Sequence, residues 1–256
     1  MSVHGGNIEE VARMYKFNPE EIVDFSANIN PMGLSENVKK AMINSIDKVI
    51  KYPDITYFDL KNSISNFEDI NSQNIILGNG AAEAIFNIVR ALKPKKALLP
   101  APTFSEYEEA LRSVGAEVEY YYLCEEDNFQ IREDYVDKLS EEIDMIFLCN
   151  PNNPTGQTID RDMLIKILDR CKKQNIVVIL DECFLEFLDE PNRYEMSDLK
   201  GEYPNLLIIK AFTKIFSMPG LRLGYAISSN QDILEEMSWK LQQWNVSVPA
   251  QMAGVA

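Results

Sequence analysis

Two residues at the ends of apolar runs pose the chemical question. Lys214 follows LLIIKAF (206–212), and Asp181 follows VVIL (177–180). A lysine after a strongly apolar strand loses solvation, which lowers its pKa and makes it a usable amine. A carboxylate closing an apolar strand is costly without a partner. Other residues of chemical interest sit at comparable places. NIIL (74–77) leads into GNGAAEAIF, where Gly80, Ala81 and Ala82 open a helix whose free N–H groups and dipole suit a phosphate. KALLP (96–100) leads into APTFSEYEEAL and places Phe104 at the next helix start. MIFLC (145–149) leads into NPNNPTGQT, with Asn153 just before Pro-Thr-Gly, and Thr213-Lys214 is followed by Pro219-Gly220-Leu221-Arg222. Taken singly, each has a plain structural reading: a glycine turn, a core aromatic, a loop, an exposed strand-end acid, a solvated lysine. Lys210 is a rival amine, but it lies within the predicted strand.

Together these residues supply a phosphate cradle, an aromatic plate, a hydrogen-bonding amide, a carboxylate, an amine and an arginine. In open α/β sheets ligands bind outside the carboxyl ends of the strands, which is where all of them fall. The inventory fits pyridoxal 5'-phosphate (PLP), with the lysine forming the Schiff base and the carboxylate keeping the pyridine nitrogen protonated. Residue counts narrow the alternatives. The chain has one histidine, His4, so a Ser-His-Asp triad, a Cys-His dyad or a multi-histidine metal site would have to draw on that residue alone. No metal site is expected.

The elements that must position these groups follow a rhythm. From residue 75 onward, short β-branched or aromatic runs alternate with helix-like stretches near 81–92, 104–114, 134–141 and 160–174. Besides the runs quoted above, VEYYYL (118–123) and LGYAIS (223–228) read as strands. The fold class expected is α/β, a mostly parallel seven-stranded sheet with helices on both faces. TKIFSMPGLR is short for a crossover helix, so LGYAIS is expected antiparallel to its neighbour. Residues 1–74 lack the strand-helix rhythm, with helices expected near 7–15, 35–49 and 56–67. The organisation expected is a substrate-facing arm over 1–50, a large cofactor domain over 51–245, and the start of a connection over 246–256. A helix from about 230 is expected to break at Pro249.

The 256 residues, 46% of them apolar, are ample for a core. A net charge of −15 without a Lys/Arg-rich run disfavours nucleic acid. The apolar runs are of strand length, and the N-terminus lacks a basic start with an apolar stretch, so neither membrane nor secretion is expected. Cys124, Cys149, Cys171 and Cys183 form no C-x-x-C pair, which favours reduced thiols and a cytoplasmic location.

The motifs combine in a recognisable order. NPNNPTG (150–156), DECF (181–184), TK (213–214) and GLRLGY (220–225) resemble the fold-type I PLP enzymes of the aminotransferase class I/II group. The resemblance runs through the whole chain. It implies that Lys214 is the Schiff-base lysine, Asp181 the partner of the pyridine nitrogen, and Asn153 the donor to the ring's 3-oxygen. It further implies that Phe104 stacks on the ring, and that Gly80, Ala81, Ala82 and Arg222 hold the phosphate. Tyr52 matches a tyrosine that in these homodimers reaches the neighbouring subunit's phosphate. Ala211 stands where many relatives place a phosphate-binding serine, leaving Thr213 to compensate.

Two branches of the group compete, histidinol-phosphate aminotransferase and the threonine-phosphate decarboxylase of cobalamin biosynthesis. HGGNIEE (4–10), DFSANINPMG (24–33), KYPD (51–54) and the MPGLRLGY run (218–225) look more like the decarboxylase, as does Phe184 where many aminotransferases carry tyrosine. In that branch His4, Gly5, Asn28 and Asn153 would lie against a phosphorylated amino-acid substrate. The family continues for about a hundred residues past the position of Ala256, into a small domain that supplies substrate-binding arginines. The resemblance therefore implies a missing C-terminal domain and impaired turnover, so that a PLP-binding chain without turnover is a third reading.

Overall fold

The computed structural model describes residues 5–196 and 201–256. Seven strands form one sheet: β1 (Ile75–Gly78), β2 (Lys96–Ala101), β3 (Glu117–Tyr122), β4 (Met145–Cys149), β5 (Val177–Asp181), β6 (Leu206–Ala211) and β7 (Gly224–Ile227). Their order is β1-β7-β6-β5-β4-β2-β3. The five from β6 to β3 run parallel, and β7 lies antiparallel to both β1 and β6. The expected mostly parallel sheet and its reversed strand are both present.

The strands form because they can be buried on both faces. β4 and β6 have every residue buried, and continuous apolar runs of this kind are the mark of a covered parallel sheet. One face is covered by α4 (Ala81–Leu92), α5 (Glu106–Ser113) and α8 (Gln231–Lys240), which set Ile85, Ile88, Leu111 and Met237 against Phe147, Ile179 and Ile209. The other face carries α3 (Phe58–Phe67), α7 (Arg161–Gln174) and α9 (Val248–Val255), which set Ile64, Leu168 and Ala250 in the cluster that holds Ile146, Leu180 and Ile208. Burying a side chain of this size contributes about 1.5–3 kcal/mol, so each layer outweighs the ordering of its helices only by adding many of them.

Local signals fix the helix ends. α7 stops at Asn175, whose left-handed φ of 58° an asparagine accepts more readily than a branched residue. The Ser35 side chain accepts from the Val38 N–H and starts α2 (Glu36–Ser45), and Asn230 does the same for α8. Two expectations need correction. The helix from 231 ends at Lys240, and Pro249 sits in the first turn of α9, where its missing N–H would have had no helical partner. The helix expected over 134–141 is only the single turn α6 (Asp134–Asp137), because the Ser140 carbonyl accepts from the Ile143 N–H and turns the chain into β4.

The N-terminal segment starts with α1 (Ile8–Tyr15) and then runs extended toward the strand ends. Asn30 anchors it there. Its N–H donates to the Lys214 carbonyl at 3.1 Å, its side chain to the Ile215 carbonyl at 2.9 Å, and its own carbonyl accepts from Ser217 Oγ at 2.6 Å. The four cysteines are all free, with Cys149, Cys171 and Cys183 buried and Cys124 exposed. Among the described residues no helix is long and apolar enough to cross a membrane.

Candidate active site

The parallel register aligns the ends of the central strands, pairing Cys149 with Asp181 and Asp181 with Ile209. A cavity of about 150 Å³ opens at that edge. Its walls include Ala81 and Ala82 from the start of α4, Phe104, Asn153, Asp181, Phe184, and Thr213, Lys214 and Arg222 from the β6–β7 connection. A wider, more open cavity of about 510 Å³ shares Ala82, Phe104, Asn153, Lys214 and Arg222 and is bounded on its outer side by Gly5 and Asn28. Another cavity of about 540 Å³ lies between α2 and α9, but it gathers none of these chemical groups.

Asp181 is 4% exposed, and its carboxylate is held from two sides. Tyr107 donates its hydroxyl to Oδ2 at 2.7 Å, and the Cys183 N–H donates to Oδ1 at 2.9 Å. A carboxylate has about four acceptor positions, so further acceptor capacity remains. Tyr107 is itself fully buried, stacked on Phe147 at 4.8 Å and meeting Phe104 edge-on at 5.5 Å. Burial, with Asp181 beside it, pushes the Tyr107 phenol well above its ordinary value, so it stays a donor.

Lys214 faces the same cavity, with Nζ 5.3 Å from the centre of the Phe184 ring. Burial lowers its pKa, and Arg222 lowers it further, against the opposing pull of Cys183 and Asp181. The amine is thereby easier to deprotonate than a surface lysine.

The start of α4 meets β7 and Arg222 by close approach. Gly80 has φ +83°, and a Cβ there would lie 2.5 Å from Arg222 Nη2. A Cβ on Gly224 would lie 2.5 Å from the Ala81 nitrogen, so β7 and the start of α4 touch backbone to backbone. Arg222, itself at a left-handed φ of 56°, lies with its guanidinium against Gly80 beside the start of α4 and donates to the Pro219 carbonyl at 3.2 Å.

Eight of the expected site residues therefore share one cavity: Ala81, Ala82, Phe104, Asn153, Asp181, Thr213, Lys214 and Arg222. Gly80 stands directly behind Arg222. Gly5 and Asn28 border the wider cavity, and a side chain at Gly5 would run into the Ser26 carbonyl at 2.0 Å. His4 lies outside the described residues. Tyr52 does not join the others: it is 77% exposed and stacks on Trp244 at 4.6 Å. Tyr107, Cys149 and Cys183 line the inner cavity without having been picked out for it. The three-residue step from Phe104 to Tyr107 at a helix start was the available signal for the first.

An amine, a buried carboxylate, an amide, an apolar plate and an arginine beside helix N–H groups are the donor set PLP requires. The Arg222 guanidinium keeps its place beside the start of α4 only while position 80 lacks a side chain. The fold is that of the fold-type I PLP-dependent enzymes. The sequence matches the family described as aminotransferase class I and II over residues 20–256, and the chain belongs to that family.

Threonine-phosphate decarboxylase of Salmonella typhimurium is 38% identical over 253 residues, 99% of this chain and 69% of that protein. A putative threonine-phosphate decarboxylase of Caldanaerobacter subterraneus subsp. tengcongensis is 41% identical over 251 residues, 98% of this chain and 66% of that one. The crystal structure of histidinol-phosphate aminotransferase from Clostridium acetobutylicum matches with a TM-score of 0.85 at 33% identity, covering 91% of this chain and 68% of that one. The histidinol-phosphate aminotransferase of Sinorhizobium meliloti, solved with pyridoxal-5'-phosphate, shares the fold at a TM-score of 0.87 and 19% identity, covering 97% and 68%. The chain thus spans about two thirds of the length of these relatives.

Proposed function

We propose that this protein decarboxylates L-threonine O-3-phosphate to (R)-1-amino-2-propanol O-2-phosphate, using PLP. The observation that carries the proposal is the 38% and 41% identity to two decarboxylases across nearly the whole chain. The wider cavity supports it, because its roughly 510 Å³ are lined by Gly5 and Asn28 of the N-terminal arm together with Lys214 and Arg222.

In this reading Lys214 holds the cofactor, with Asn153 and Phe104 fixing the ring and Arg222 and the start of α4 holding its phosphate. Asp181 would accept a hydrogen bond from the protonated pyridine nitrogen and so keep it charged. When bound, PLP supplies a conjugated ring that accepts the electron pair of a bond breaking at the substrate's Cα. Decarboxylation would require the cavity walls to present the substrate's Cα–carboxylate bond for cleavage: CO₂ would leave without the bonding pair, and a proton would then be added at Cα. The Lys214 amine would deliver that proton. Phe184 presents no hydroxyl to the ring oxygen, which leaves Asn153 as its side-chain donor.

The proposal includes a homodimer in the cytoplasm, with exposed Tyr52 reaching the partner's phosphate site, and assigns 1–50 to the substrate side and 51–245 to the cofactor domain. A second reading, amino transfer from histidinol phosphate, is favoured by the 33% identity to the Clostridium acetobutylicum structure. The two are separated by incubating the PLP-loaded protein with each substrate. CO₂ released from L-threonine O-3-phosphate without any 2-oxo acid supports the decarboxylase. Amino transfer from histidinol phosphate that requires 2-oxoglutarate, with no CO₂, supports the aminotransferase.

A further inference from the structure

On the face of the sheet opposite the cavity lies a buried group of charges that the reaction does not use. Lys210 of β6 is 4% exposed, and its ammonium faces four carboxylates: Glu68 at 3.0 Å, Glu195 at 3.3 Å, Glu186 at 3.5 Å and Glu182 at 3.8 Å. Side chains alternate along a strand, so Lys210 and Glu182 turn one way while Asp181 and Ala211 turn to the cavity. Three of the four carboxylates belong to one segment, residues 182–196, at its start, its first turn and its end. Glu182 Oε1 also accepts from the Met196 N–H at 3.3 Å, closing the segment on itself. The fourth, Glu68, comes from the end of α3 and accepts from the Tyr225 hydroxyl of β7.

That segment carries Phe184, whose ring lies against the Lys214 amine. We propose that Lys210 is a positioning residue of the active site: its ammonium gathers Glu182, Glu186 and Glu195 and so fixes the segment that sets Phe184 over Lys214. The physical reason is asymmetric burial. Glu68 and Glu182 have side chains 2% and 0% exposed, whereas those of Glu186 and Glu195 are 25% and 27% exposed. Without the cation, Glu68 and Glu182 are left enclosed with no counter-ion and no route to water. The two at the rim can instead turn to water and draw the segment outward with them. The importance of Phe184 rests on the cofactor reading above; the tether itself does not.

The test compares the parent with Lys210→Met, which keeps the aliphatic stem, and Lys210→Arg, which restores the charge. Hydrogen exchange is followed on the PLP-free protein, and visible absorbance on the PLP-loaded one. The tether predicts exchange at 183–188 at least tenfold faster in Lys210→Met, with β2 and β4 unchanged, an altered visible band on loading, and recovery of both in Lys210→Arg. Exchange at 183–188 equal to the parent, or rising uniformly across the sheet, overturns it. If Lys210→Met does not fold, Glu186→Gln combined with Glu195→Gln is substituted, with the same local rise expected and its absence decisive against the tether. Faster local exchange in a protein that takes up no PLP would uphold the tether and overturn the cofactor reading instead.

Discussion

The Tyr107 hydroxyl donates to Asp181 Oδ2 at 2.7 Å inside a site where the phenol is fully buried and the carboxylate nearly so. A hydrogen bond to a charged acceptor is worth about 1.5–3 kcal/mol, and its loss here leaves the carboxylate with one fewer donor in a dry environment. Tyr107→Phe is therefore expected to weaken PLP binding about tenfold, for a loss near the lower end of that range. A titration of the visible band against PLP concentration measures it. An unchanged midpoint would separate Tyr107 from the state of Asp181.

Stability should fall as pH rises from about 5 to about 8, and Glu182 gives the reason. Burial pushes its carboxyl up to about 8, since one lysine cannot neutralise four acids and Glu182 Oε2 finds no hydrogen-bond partner. Lys210 meanwhile keeps its charge: burial lowers its pKa, but the surrounding carboxylates outweigh that and raise it. A folded-state pKa above the unfolded value means that the native protein holds a proton the unfolded chain has lost. That contribution is complete below the ordinary carboxylate range and vanishes as pH passes about 8. The slope for one proton is at most about 1.4 kcal/mol per pH unit. Glu186, raised by its burial, acts in the same direction. Urea unfolding of the parent and of Glu182→Gln at pH 5 to 8 checks this, with a shallower slope expected in the variant.

Position 80 should tolerate no side chain. Gly80→Ala combines a backbone at φ 83° and ψ 165°, a region open essentially to glycine alone and costing other residues about 1–3 kcal/mol, with a Cβ 2.5 Å from the Arg222 guanidinium. The variant is expected to lose affinity for PLP by about tenfold or more while binding phosphate-free pyridoxal as the parent does, measured by parallel titrations. Equal loss for both ligands would place the phosphate elsewhere.

Asn30 ties the N-terminal segment to the turn that carries Lys214. Asn30→Ala removes the side-chain bond to the Ile215 carbonyl, and a loss of about 1 kcal/mol in unfolding free energy is expected. Exchange at 213–217 should rise with it. An unchanged pattern would mean that the backbone bonds suffice.

Much of this architecture was legible because burial writes itself into composition. Runs such as MIFLC and LLIIKA are buried throughout and could only be covered strands. The reversed β7 was legible from the short connection before it. The cavity residues were legible because they follow strand ends, the one place where side chains from distant parts of a parallel sheet converge. Lys210 was not, because a lysine in an apolar strand looks the same whether it is misplaced or matched, and its four partners come from positions 68, 182, 186 and 195. Asn30 was hidden for the same reason: its partners Ile215 and Ser217 lie 185 and 187 residues away. Pro249 misled in the other direction, since proline both ends helices and starts them.

The proposed decarboxylation requires Lys214 to hold PLP in a site that removes CO₂ from a phosphorylated amino acid. The most direct measurement is the visible spectrum of the parent and of Lys214→Ala with PLP, before and after L-threonine O-3-phosphate, with CO₂ collected. The expected result is a band near the visible edge in the parent alone, shifting with substrate as CO₂ is released. An identical band in Lys214→Ala, or a substrate shift with no CO₂, would contradict the account.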